Sequence, residues 1–435
     1  MKKKIKNVTW LILYLIVAVI LGTLLMIGVY RLPTEKIILH VKESEDIYAF
    51  EGQRPNWTPG LKYGQLDNYT DSIMLRTAMF SDDNSAVYNA MMNPFYRTDE
   101  LKSQVKCLLA LLNGKKSDSM YSIGYPRYWH GYLTILKPML QFFNVSELRM
   151  INMMLQLFLM TVVILLLGKR LGIGYGVAFG LTVGFLNPVA IAASFQYSDI
   201  YYIVLFSFLA ALLFEKRLEE NNLWSRLFMM TGILVAFFDF LTYPFVTLGM
   251  LLILMILLQS KSIVGNLIDI IKNSICWGIG YVGMWAGKWI ISSVLTKQNL
   301  VLNAIDQVRE RTGGDTSMIS GGEEAKILKG IVKNVEVIWT SPMKLVLLLI
   351  GLGILLLLIT GIVRFRFYIN KIVPILFVCT YPFIWYIVVE NHSVIHSWMA
   401  YREMAITFFG MLCMLAILFQ RNTQGNCFED KNNIL

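Results

Sequence analysis

MKKKIKNVTWLILYLIVAVILGTLLMIGVY, residues 1–30, decides the class of this chain. Four lysines precede a run from Trp10 to Tyr30 that carries no charge. About 20 apolar residues are what a helix needs to cross the hydrocarbon core of a bilayer. The run is longer than the apolar part of a signal peptide and no convincing small-residue cleavage site follows it, so it predicts a retained helix. Lysines at its start place that end on the cytoplasmic side.

The rest of the chain has the same character. Of 435 residues, 56% are hydrophobic and only 16% charged, and the mean hydropathy is +0.56. A soluble domain cannot hide that much apolar surface. The net charge of +10 sits mainly in loops between apolar runs, which fits membrane topology and anionic lipid headgroups and argues against nucleic acid as a partner. The five cysteines, Cys107, Cys276, Cys379, Cys413 and Cys427, have neither metal-ligand nor redox spacing, so free thiols are expected.

Apolar runs at 9–30, 148–168, 174–194, 201–215, 227–241, 244–260, 274–296, 343–363, 372–390 and 404–420 predict about ten transmembrane helices. The fourth and fifth are short, as tilted, kinked or partly inserted helices are. Alternate connections hold Lys2, Lys3, Lys4 and Lys6; Lys169 and Arg170; Lys216, Arg217 and Arg226; Lys261 and Lys272; Arg364, Arg366 and Lys371; Arg421 and Lys431. The short connections of the other set, 195–200, 242–243 and 391–403, hold only Arg402 among basic residues. Both termini are therefore expected in the cytoplasm, and 391–403 outside.

The expected organisation is a cytoplasmic N-terminus and first span at 1–30, an extracytoplasmic loop at 31–147, spans two to seven at 148–296, a second such loop at 297–342, and the last three spans with a cytoplasmic tail at 343–435. Within the loops, 37–50 has β character, 71–80 and 99–112 read as surface helices, and 323–335 as a helix after the mobile GGDTSMISGG. There is no internal repeat of the kind that marks inverted-repeat transporters.

Six polar stretches gather on the expected outer side. In LDNYTDSIML (66–75), Asp67 and Asp71 stand four apart, so one helix would present both carboxylates to one side. Such a pair can hold a divalent cation, and one alone can take a proton from a hydroxyl. The plainer reading is an N-capping Asp. In YPRYWHGYLTILKP (125–138), Arg127, Trp129 and His130 lie among tyrosines just before the second span, where an aromatic belt is expected anyway. Asp199 in FQYSDIYY (195–202) reads as a turn or cap. Asp239 and Tyr243 in FFDFLTYP (237–244), and Lys288 in GMWAGKWII (283–291), place ionisable groups at or inside spans, where each needs a partner or a wet cavity.

The sixth is NHSVIHSWMAYR (391–402), with His392 and His396 four apart and Tyr401 and Arg402 after them. Two histidines make a weak metal motif without a third ligand. Phosphate or pyrophosphate recognition suits an arginine fork and imidazole donors better. There is no Walker loop, HExxH, nucleophile elbow or Rossmann fingerprint, and GGEEAK (321–326) is not a P-loop. A reaction on the outer face, away from ATP and nucleotide-sugars, needs a donor carried by the membrane itself.

On LDNYTDS, RYWHGY, FDFLTYP and HSVIHSWMAYR, and on the order of one span, a large acidic outer loop and many further spans, the chain resembles the GT-C class of membrane glycosyltransferases of the bacterial envelope-polysaccharide type. The resemblance implies an all-α polytopic fold and transfer of a sugar from a polyprenyl-phosphate to an envelope glycan or lipid acceptor among membrane lipids. It implies Asp67 or Asp71 as general base, and Arg402 and Lys288, with His392, His396 and Arg127, at the donor phosphate. It leaves His130, Asp239, Tyr243, Trp129 and Tyr401 in supporting roles and a divalent ion at Asp67 and Asp71 as an option, with 312–322 as a lid. Competing readings are a polysaccharide polymerase or ligase using the same kind of donor, a transporter or flippase of lipid-linked precursors, and a non-catalytic scaffold or sensor.

Overall fold

The computed structural model describes residues 2–114, 119–312, 328–340 and 368–418, with 344, 345, 348, 351 and 352 between them. The 343–363 run, the expected lid at 312–322, the first part of the 323–335 helix and the basic tail lie wholly or largely outside the described residues. The described chain is an all-α membrane protein. Among the described residues the one sheet pairs Phe95–Arg97 with Tyr121–Ile123, antiparallel.

Five helices are long and apolar enough to cross a membrane: Thr9–Val29, Val145–Arg170, Phe195–Glu220, Ile369–Val388 and Ser397–Leu418. Ile173–Leu186, Trp224–Phe238 and Phe245–Leu258 are apolar but shorter. Several sequence boundaries shift. The 174–194 run breaks at Asn187, whose left-handed backbone (φ 60°) ends one helix and whose side chain caps the next at the Ala190 N–H. The 195–200 connection is not a turn: it is the first part of Phe195–Glu220, a 26-residue helix that also contains the short 201–215 run and bends at Phe214. The seventh run belongs to the 34-residue helix Ile263–Thr296.

Phe245–Leu258 is apolar on every face and buried along nearly its whole length, as expected of a helix enclosed by others. It packs against Phe195–Glu220, Trp224–Phe238, Ile263–Thr296, Ile369–Val378 and Ala405–Leu418. The tightest approach in the bundle is between Trp224–Phe238 and Ile263–Thr296. A Cβ on Gly232 would overlap the Trp277 carbonyl, and one on Gly280 would overlap the Met229 carbonyl. Glycine is what lets the two backbones touch.

Residues 31–114 and 119–144 fold into a cap on one end of this bundle. The 37–50 stretch is helical, not extended: Glu35–Lys42 and Glu45–Glu51 bury Ile37, Val41 and Tyr48, a helical stripe that outweighs the β-branched composition. The helices expected at the surface over 71–80 and 99–112 are Asn68–Ala78 and Gln104–Leu112, but neither is a surface helix: the first has no exposed residue and the second buries Gln104, Val105, Cys107, Leu108 and Leu112. The cap is tied down along its length. Asp67 N–H donates to Ser194 Oγ at 3.0 Å, Trp129 Nε1 to the Met284 carbonyl at 2.7 Å, Gly131 N–H to the Phe237 carbonyl at 2.9 Å and Tyr401 OH to the Tyr63 carbonyl at 2.8 Å. At the far end a separate polar cluster joins Lys261 to Asp269 at 2.6 Å and to Glu219 at 3.3 Å.

The glycine contact makes a sharp prediction. Gly280→Leu forces the two helices apart and costs about 1–3 kcal/mol or more, as overpacking does. Gly278→Ala, two residues away with open space around its Cα, leaves stability unchanged. Melting of the detergent-purified variants, followed by size-exclusion chromatography, measures both.

Candidate functional site

Under the cap lies a cavity of about 500 Å³, of the size that holds a small ligand. Its walls come from segments far apart in the chain. Arg54 enters from the loop after Glu45–Glu51, and Asp67, Tyr69 and Thr70 from the start of Asn68–Ala78. Arg97, Tyr125 and Arg127 come from around the small sheet, Arg311 from the end of Leu300–Arg311, and His392, His396 and Trp398 from the last polar connection. Among the described residues its lining has four arginines and a single acidic side chain, Asp67.

Each arginine but Arg97 is set against an aromatic face. The Arg54 guanidinium lies 4.1 Å from the centroid of Trp398 and 5.5 Å from that of Tyr69. Arg127 lies 4.9 Å from the Tyr125 ring and Arg311 5.9 Å from the Tyr128 ring. Stacking holds a guanidinium by its face and keeps its N–H edge for oxygen acceptors. Arg97 faces Asp99 at 3.4 Å in an exposed pair.

Arg311 Nη1 donates to His392 Nδ1 at 2.9 Å. A guanidinium has only donors, so Nδ1 must accept and the ring is neutral with its proton on Nε2. Burial pushes His392 well below the usual histidine range, and the neighbouring His396 and Arg311 push it further. His396 is lowered to about 3, by burial first and then by Arg311 and Arg54. Near neutral pH the pair therefore serves as uncharged hydrogen-bonding groups.

Asp67 is the N-cap of Asn68–Ala78. Its side chain accepts from the Thr70 N–H at 3.2 Å and the Thr70 hydroxyl at 2.8 Å. Burial raises its pKa, against the pull of the Thr70 hydrogen bonds and of Arg54 and Arg402. The expected N-cap is thus present, and the same residue lines the cavity.

The other expected site residues lie elsewhere. Asp71 is fully buried and does not line the cavity; its carboxyl accepts from the backbone N–H groups of Phe195 at 3.1 Å and Gln196 at 3.4 Å, fixing the start of that helix. Lys288 does not hold a phosphate position in this cavity. It donates to the Ala90 and Met91 carbonyls, both at 3.0 Å, over the Trp129 ring. Arg402 does not reach out from the end of its span. It is buried, donates to the Leu186 and Trp398 carbonyls at 3.3 and 3.2 Å, and packs 4.0 Å from the Tyr197 centroid.

His130 hydrogen-bonds to the Tyr125 carbonyl at 2.9 Å and to the Tyr132 hydroxyl at 3.1 Å; burial lowers its pKa to about 3. Asp239 accepts from the N–H groups of Leu241 and Thr242 and from the Thr242 hydroxyl, closing a local turn instead of pairing with Lys288. Tyr243 donates to the Tyr197 carbonyl. Trp129 and Tyr401 serve as the cap ties described above. Of the expected set, the cavity brings together Asp67, Arg127, His392 and His396. Arg54, Arg97 and Arg311 were not foreseen, because none of them stands in a recognisable motif.

A divalent ion on an Asp67–Asp71 pair does not fit this arrangement. The Asp71 oxygens are committed to two backbone donors, and among the described residues no three His, Cys, Asp or Glu side chains are placed to hold a metal. No family model matches the chain, and no curated protein or solved structure matches it either.

Asp71 makes a pH prediction. Burial, opposed by Arg149, raises its pKa from 3.8 to about 8 in the folded protein. The native state therefore holds a proton that the unfolded state has released, and stability falls as pH rises from about 4 to about 8. Asp71→Asn keeps the shape and one of the two acceptor oxygens, and cannot titrate. Its melting temperature should change less between pH 5 and 8 than that of the wild type, while Asp71→Ala is less stable throughout.

Proposed function

We propose that this chain is a membrane glycosyltransferase of the GT-C kind, with about ten spans in all. It moves a sugar from a polyprenyl-phosphate donor to an envelope glycan or lipid acceptor outside the cytoplasm. The supporting observation is the cavity itself: one buried carboxyl faces four arginines, under a cap on an apolar bundle. The excess of Lys and Arg in the opposite set of connections supports an outward-facing cap.

In this reading Asp67 is the general base. It takes the proton of the acceptor hydroxyl as that oxygen attacks the anomeric carbon. The bond from that carbon to the phosphate oxygen breaks, and the lipid phosphate leaves with the bonding pair. Arg54, Arg127 and Arg311 meet the charge that grows on the leaving oxygen, which lowers the barrier more than it strengthens ground-state binding. Neutral His392 fixes Arg311, so it acts through that arginine as a positioning residue. Asp71, Lys288 and Arg402 build the scaffold around the site.

Asp67→Asn tests the assignment, because Asn also caps helices well. Transfer should fall about 10²–10⁴-fold, the range general-base removal costs, with the protein at its normal level in the membrane. Mass spectrometry of the envelope glycans reads the outcome, and unchanged glycans at matched protein level defeat the proposal. The rate should also fall on acidification through a pKa above the ordinary carboxylate range, since the base must be ionised and burial raises its pKa. His396→Gln should leave that limb in place.

A further inference from the structure

We infer that the end of the bundle opposite the cap holds the phosphate of an anionic phospholipid, in a second cavity of about 270 Å³. This site is independent of sugar transfer. Val145–Arg170 and Phe195–Glu220 pack against each other, and both start beside the cap. Arg149 in the first pairs with Glu51 of the cap at 2.9 Å, and the Phe195 N–H donates to Asp71 at 3.1 Å. From Phe195 to the bend at Phe214 is roughly 30 Å at the rise of an α-helix. That is about the thickness of the hydrocarbon core of a bilayer. A cavity at the bend therefore lies at the headgroup level of the other leaflet.

Its lining is Arg170 from the end of one helix, and Leu213, Phe214, Glu215, Lys216 and Arg217 from the bend of the other. Three cations thus meet one carboxylate, and Glu215 is also within charge range of Lys371. Arg170, Lys216 and Arg217 are exposed, and none has an ion pair or a side-chain hydrogen bond among the described residues. Lys261 at the same end differs, being paired with Asp269 and Glu219. Helix dipoles and topology favour basic residues at such ends. Neither gathers three of them around one hollow beside exposed apolar side chains. Leu213 and Phe214 keep 53% and 54% of their surface exposed, so they offer contact to acyl chains directly below the cations. Basic pockets between spans suit anionic headgroups, and arginine forks suit phosphate oxygens. A soluble anion would make no use of the apolar pair, so the occupant is a lipid.

The test uses the full-length protein and native mass spectrometry, with phosphatidylglycerol and phosphatidylcholine of equal acyl chains as probes. One phosphatidylglycerol should be retained in preference to phosphatidylcholine. Arg170→Gln and Arg217→Gln should each weaken its binding about fivefold, the effect of one basic residue near an anionic headgroup, and leave phosphatidylcholine binding unchanged. Lys169→Gln removes an adjacent exposed lysine that does not line the cavity, and should keep the preference. Because the altered side chains are exposed, melting temperatures without added lipid should equal that of the wild type, and phosphatidylglycerol should raise the wild type's more than the variants'.

Equal retention of the two lipids overturns the inference. So does an equal loss in Lys169→Gln, which would show diffuse attraction by the whole basic end. Inorganic phosphate displacing the lipid at equal concentration would assign the cavity to a soluble anion and overturn it as well.

Discussion

A buried ammonium joins the two parts of this molecule. Lys288 sits near the end of the long Ile263–Thr296 helix with none of its surface exposed. In hydrocarbon an ammonium without oxygen partners costs several kcal/mol. It finds them in the last carbonyls of Ala86–Met92, over the indole of Trp129. The negative end of that short helix suits a cation. The lysine thus fixes the cap by the same need that keeps it out of the cavity.

The same logic runs through the polar residues around it. Asp71, Asp239 and His130 are each met by protein groups at close range. They are the frame. In the cavity, Arg54, Arg127 and Arg311 rest on rings, the Asp67 carboxyl accepts from Thr70, and the Trp398 indole N–H faces no acceptor among the described residues. Satisfied polar groups hold the walls still, and incompletely satisfied ones line the space a ligand would enter.

How much of this was legible varies by residue. The bundle was readable because apolar runs of spanning length have few other uses. The 391–402 stretch was readable as a polar concentration where a plain turn would suffice, and it does line the cavity. The pairing of Asp67 with Asp71 misled. Four-residue spacing puts two side chains on one face only if both residues are helical, and Asp67 is the non-helical cap (φ −117°, ψ 63°). Lys288 and Arg402 looked functional because buried charges are costly, but the cost is met as well by carbonyl oxygens as by a ligand. Arg54 and Arg311 were invisible because single arginines in long loops carry no local signal, and only tertiary folding brings them within reach of Trp398 and His392.

The hydrogen bond from Tyr401 to the Tyr63 carbonyl spans 338 positions of the chain, and His392 meets Arg311 across 81. During synthesis the cap emerges early, whereas the wall that completes it arrives with the final apolar segments. The first loop must wait, unfinished, until those segments insert. A ribosome stalled before residue 390 would leave it open, with Arg54 lacking its indole and Arg311 its imidazole, so assembly of the binding surface reports that insertion is complete.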